Sequence, residues 1–176
     1  YLFASSDLLQ SDLSEPEEAI GVLREALGLQ PGHLETHERL DSLFSVTEQY
    51  IDLAANLETM AELVSEDMER SIGYTLRLAT VTEEHLSDVP QAIALYAGIF
   101  DKDADNSRAV ASLERLFHDA EFAATIAPIL QPFYERTGDW ESLIGVYFAR
   151  EDATPDPDEK VSWYYKIADL FEGSGG

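Results

Sequence analysis

The sequence contains no cysteine, and only three of its 11 basic residues are lysines, Lys102, Lys160 and Lys166. The first absence excludes a disulfide framework, a thiol nucleophile and cysteine-ligated zinc. The second leaves no lysine cluster on one helical face. The longest apolar run, Ala92 to Phe100, falls well short of the ~20 residues a membrane-spanning helix needs, so membrane insertion is not expected. No segment sustains the alternation of a half-buried strand. No Gly-x-Ser-x-Gly elbow and no Gly-x-x-x-x-Gly-Lys phosphate loop occurs. Catalysis is therefore not expected, and no catalytic residue, cofactor or metal site is assigned. No basic n-region precedes an apolar stretch, so no secretory signal is read and a cytoplasmic setting is favoured.

Acid is what the chain has in excess. Its 35 acidic residues against 11 basic ones give a formal net charge of −24. Phosphate backbones and anionic membranes repel such a surface, so nucleic acid is a poor partner. A basic protein surface is the natural complement, although acidity also maintains solubility. Hydrophobic residues make up 45% of the chain, enough to build a packed core.

The apolar residues follow helical spacing and repeat at long range. Ala19-Ile20, Leu23, Ala26 and Leu27 recur as Ala92-Ile93, Tyr96, Ile99 and Phe100. The same offset maps Leu40 onto Leu113, Leu43 onto Leu116, Phe44 onto Phe117 and Leu57 onto Leu130. Phe3-Ala4, Leu78-Ala79 and Ile167-Ala168 form a second set of echoes. Tyr50-x-x-Leu53-Ala54-x-x-Leu57 and Trp140-x-x-Leu143-Ile144-x-x-Tyr147 form a third.

Nine or ten helices are predicted, over 1–12, 16–29, 34–46, 48–65, 69–87, 89–101, 107–118, 121–136, 139–150 and 158–172. Pro16 suits a first helical turn, and Pro31-Gly32 and Thr137-Gly138-Asp139 stop helices. Asp105, Asn106 and Ser107 offer N-cap oxygens, with Asp105 or Ser107 expected to cap. Pro128 and Pro132 predict a kink or short break within Phe122 to Arg136. Trp140, Tyr147 and Tyr165 are expected in the core.

The residues Ala19, Leu23, Ala26 and Pro31 resemble the second helix of the tetratricopeptide repeat (TPR). Ala92 and Tyr96 match its first two places, whereas Ile99 and Ala104 depart from the rest. Trp140, Leu143 and Tyr147 resemble its first helix, with Ile144 in the glycine place. The two halves do not occur at the family's spacing, and the units exceed its period of about 34 residues. The resemblance implies an all-α fold, a right-handed superhelix of antiparallel helix pairs. It would occupy 1–172, in units of about 1–68 and 69–172, with 173–176 read as an expression linker.

Two motifs suggest metals and then fail. Asp101, Asp103 and Asp105 alternate like the start of a calcium loop, but Asn106 takes the glycine place and Ser112 the bidentate acid's. An acidic inter-helix turn is expected instead. His33 and His37 are four apart, but Glu35 between them faces away from the pair, so surface or capping histidines are expected.

A helical-repeat array offers a groove for an extended or helical partner segment. The expected function is a scaffold or adaptor for a basic or amphipathic protein segment, with Tyr74, Arg77 and Arg108 as candidate groove residues. Scattered lysines argue against a clamp for acidic tails. The alternative is a structural segment of a longer solenoid. The apolar helix from Val161 to Phe171, presenting Val161, Tyr164, Tyr165, Ala168 and Phe171, would then self-associate or pack on flanking repeats.

Overall fold

A computed structural model describes residues 16–174. The helix predicted over 1–12 lies outside the described residues, as do Gly175 and Gly176. The described residues are all-α, without a strand. They form nine helices: α1 (Pro16–Leu29), α2 (Leu34–Val46), α3 (Tyr50–Leu63), α4 (Met68–Glu84), α5 (Val89–Phe100), α6 (Ser107–Phe117), α7 (Ala120–Thr137), α8 (Trp140–Ala153) and α9 (Pro157–Ser174). The chain divides into two compact units between Leu95 and Tyr96, inside α5.

Short turns separate the helices, and many of the acids have a local role there. Backbone N–H groups at helix starts have no partner within the helix. Asp67 accepts from the N–H of Arg70, Asp119 from that of Glu121, and Asp139 from that of Ser142. Asn106, rather than Asp105 or Ser107, caps α6 by accepting from the Ala109 N–H. It is the residue whose backbone takes the extended cap conformation (φ −64°, ψ 100°). At the far end of α7, Gly138 adopts φ +72° and donates to the Tyr134 carbonyl. A side chain there would be strained, which fixes the α7–α8 turn.

In the first unit α1 packs on α2, α2 on α3 and α3 on α4. Ala19, Ile20, Leu23, Leu40, Phe44, Leu53, Leu57 and Leu78 share one core. Ala19 and Ala79 are wholly buried, so these small side chains lie at close helix contacts. Tyr50 at the start of α3 stacks on His85 with ring centroids 3.8 Å apart.

In the second unit α6 packs on α7, α7 on α8 and α8 on α9. Leu113, Ile126, Leu130 and Val146 are fully buried. Tyr147 is buried as expected, but Trp140 and Tyr165 are 40% and 69% exposed. Trp140 is the first residue of α8, where there is little neighbouring helix to cover it. On α9 it is Ile167 that is buried, while Tyr165 lies on the exposed side.

Of the kink or short break predicted in α7, the break is absent: the helix runs through Pro128 and Pro132. Both prolines are exposed and lie four residues apart, on one face. The carbonyls they leave without an intrahelical donor belong to Ala124 and Pro128, both exposed residues, so the lost bonds fall on the solvent side of the helix.

Candidate protein-binding surfaces

Residues of both metal-like motifs make hydrogen bonds and ion pairs within the fold. His37 is buried rather than exposed or capping. Its Nδ1 lies 2.7 Å from Asn56 Oδ1 and its Nε2 2.8 Å from the Pro31 carbonyl oxygen. His33 precedes α2 and pairs its Nδ1 with Thr36 Oγ1 at 2.9 Å. In the acidic turn, Asp103 accepts from the Asp105 N–H and from Asn106 Nδ2, and Asp105 pairs with Arg136 at 2.6 Å.

Tyr74 and Arg77 lie on one face of α4, three residues apart, and meet acids on α2. The Tyr74 hydroxyl donates to Glu38 Oε1 at 3.1 Å. Arg70, one turn earlier, donates to the same carboxylate at 3.1 Å, and its hydrogen bond to the Tyr74 oxygen raises the guanidinium's pKa further. Arg77 donates to Asp41 Oδ2 at 2.9 Å, whereas buried Asp41 Oδ1 has no partner among the described residues. Arg108 is exposed in the first turn of α6, in the second unit. The structure thus brings Tyr74 and Arg77 together as an inter-helix polar ladder.

Other cations are also engaged within their own unit. Arg24 pairs with Asp52 and Arg39 with Glu35. Arg150 and Lys166 lie over the Trp163 ring at 4.6 and 4.2 Å. Buried Glu151 accepts from Lys160 at 2.9 Å and from the Tyr164 hydroxyl at 3.0 Å. Those two bonds, Lys160 first, hold the Glu151 carboxyl below the usual glutamate range and raise Lys160 in turn.

Each unit carries an apolar cleft that sequence reasoning missed. In the first, Ile51, Ala54, Ala55 and Glu58 of α3 face Leu78, Leu86, Asp88 and Leu95 around about 510 Å³. Ile51 is 78% exposed there. In the second, Gly145, Phe148, Ala149, Asp152 and Ala153 of α8 face Phe117, His118, Ala120, Ala123 and Ala124 around about 540 Å³. A recess of about 390 Å³ continues it past Glu114, Tyr134 and Ser142. The Tyr134 hydroxyl donates to Glu114 at 2.8 Å; burial first, and this bond second, push its pKa well above the ordinary phenol value. It therefore remains a neutral donor.

Neither cleft has a lysine or arginine among its lining residues. The sequence signal was a second stripe at i, i+3, i+4 and i+7 ending in an acid: Ile51, Ala54, Ala55, Glu58 on α3 and Gly145, Phe148, Ala149, Asp152 on α8. It was hidden beside the stronger core stripe of the same helices. Neither a protein-family model nor a curated protein sequence matches the chain.

Proposed function

We propose that the chain is a non-catalytic, TPR-like helical-repeat module that binds a basic or amphipathic segment of another protein. The observation that carries this reading is the pair of open clefts, each with an apolar floor, a carboxylate at its edge and no lysine or arginine lining it. Such a surface desolvates an apolar stripe and selects positive over negative flanks. The net charge of −24 adds a long-range attraction for the same partners. Buried alanines on packed helices, Ala19 and Ala79, support the repeat-array reading.

The test is fluorescence anisotropy with labelled helical peptides of matched length: basic amphipathic, acidic amphipathic, and basic with its apolar residues scrambled. Preference for the first, weakening as ionic strength rises from about 50 to about 300 mM, is expected. Equal binding of all three would refute the reading.

A second reading has its own observation. Val161, Tyr164, Tyr165 and Phe171 of α9 are 49–69% exposed, as a helix awaiting another repeat would be. On this reading the chain is a structural segment that packs on flanking repeats or associates with itself through its ends. Light scattering across a concentration series distinguishes them: a monomer favours the adaptor, and association lost on Tyr165→Ser favours the segment.

A further inference from the structure

We infer that the second-unit cleft seats one short α-helix of a partner protein, whose apolar stripe carries a lysine or arginine at each end. This inference rests on the adaptor reading above and assigns it a site. The floor is built from Gly145 and Ala149 of α8 with Ala123 and Ala124 of α7, and Phe117 and Phe148 border it. Small side chains allow a third helix axis to approach closely, because interaxial distance follows the size of the residues at the contact. Phe148 is 45% exposed, so an apolar partner gains by covering it.

The polar groups are placed at the ends. The α7–α8 turn at Gly138 brings Tyr134 and Ser142 together, and Glu114 lies there, bonded to Tyr134 at 2.8 Å. Asp152 lines the other end, beside Ala120 and Ala153. From Ser142 to Asp152 the helix rises about 15 Å. An occupant of about three turns spans that length and brings one cation to Glu114 and one to Asp152. The apolar floor supplies affinity, and the two carboxylates supply register and reject acidic helices.

The experiment uses the full chain and two synthetic fluorescein-labelled helical peptides of about 14 residues with the same composition. One carries lysines at both ends of a leucine stripe, and its isomer carries them all at one end. The split peptide is expected to bind about tenfold more tightly than the isomer. Asp152→Lys should weaken it about tenfold and improve binding of a version with glutamate at one end. Ala124→Arg should abolish binding by filling the floor. Both substituted positions are exposed, and circular dichroism melts verify that the variants fold. Ser42→Arg, at an exposed position of α2 that lines neither cleft, should leave binding within about twofold. Wild-type binding unaffected by Asp152→Lys and Ala124→Arg would overturn this site while leaving the adaptor reading intact. No binding of either peptide to the wild-type chain would overturn both.

Discussion

His37 and Asn56 hold α2 against α3 through a buried pair of contacts: His37 Nδ1 lies 2.7 Å from Asn56 Oδ1, and Asn56 Nδ2 donates to the His37 carbonyl at 2.9 Å. The Pro31 carbonyl, 2.8 Å from Nε2, fixes the ring from its other side. A histidine spacing suggestive of metal thus serves helix register, because buried polar groups must find partners.

Removing either partner leaves a buried amide or imidazole unsatisfied. His37→Ala and Asn56→Ala should each destabilise the protein by about 2–3 kcal/mol. The double variant should lose clearly less than the sum. Urea denaturation followed by circular dichroism measures all three. Additive losses would mean the contact carries no coupling.

Arg77 should prove a stability residue. Its removal leaves the buried Asp41 carboxylate, already missing a partner at Oδ1, without a cation. Because the guanidinium is partly solvated, Arg77→Ala should cost only about 1–2 kcal/mol. Peptide affinity should stay within about twofold. A tenfold affinity loss with unchanged stability would instead place Arg77 in the binding surface.

Pro128→Ala restores a helical N–H donor to α7 at an exposed position. The expected result is a gain of about 1–3 kcal/mol, read as a higher melting temperature. A lower one would show that this stretch of α7 depends on the proline.

How legible was this in the sequence? The helices were largely so, because apolar spacing reports which face is covered, and the predicted 16–29 and 34–46 match α1 and α2. The prolines do not break α7, because Pro128 and Pro132 face water, which spacing alone does not tell. Polar core residues were also missed. Yet His37 stands three and seven residues before Leu40 and Phe44, and Glu151 four after Tyr147, both on buried faces. The clefts depend on surfaces from several helices, and one helix's pattern does not reveal what its second stripe faces. Tyr74 and Arg77 share a face of α4, but the acids opposite them come from α2, which spacing within α4 does not reveal.

Glu151 should make the second unit acid-sensitive. Its bonds from Lys160 and Tyr164 lower its folded pKa below the ordinary value of 4.5. The stabilisation is present in full above that value and fades as pH falls from there through the folded pKa. Thermal melts between pH 7 and about pH 3 should therefore fall more steeply for wild type than for Glu151→Gln, which has no proton to gain. Parallel curves would contradict this.

The account turns on a partner helix lying in the α7–α8 cleft. Amide chemical-shift mapping of the labelled chain, titrated with the split-lysine peptide, tests it most directly. Shifts concentrated at Ala124, Gly145, Phe148, Ala149 and Asp152 are predicted. Shifts confined to the α2–α4 ladder around Tyr74 and Arg77, or none at saturating peptide, would contradict it.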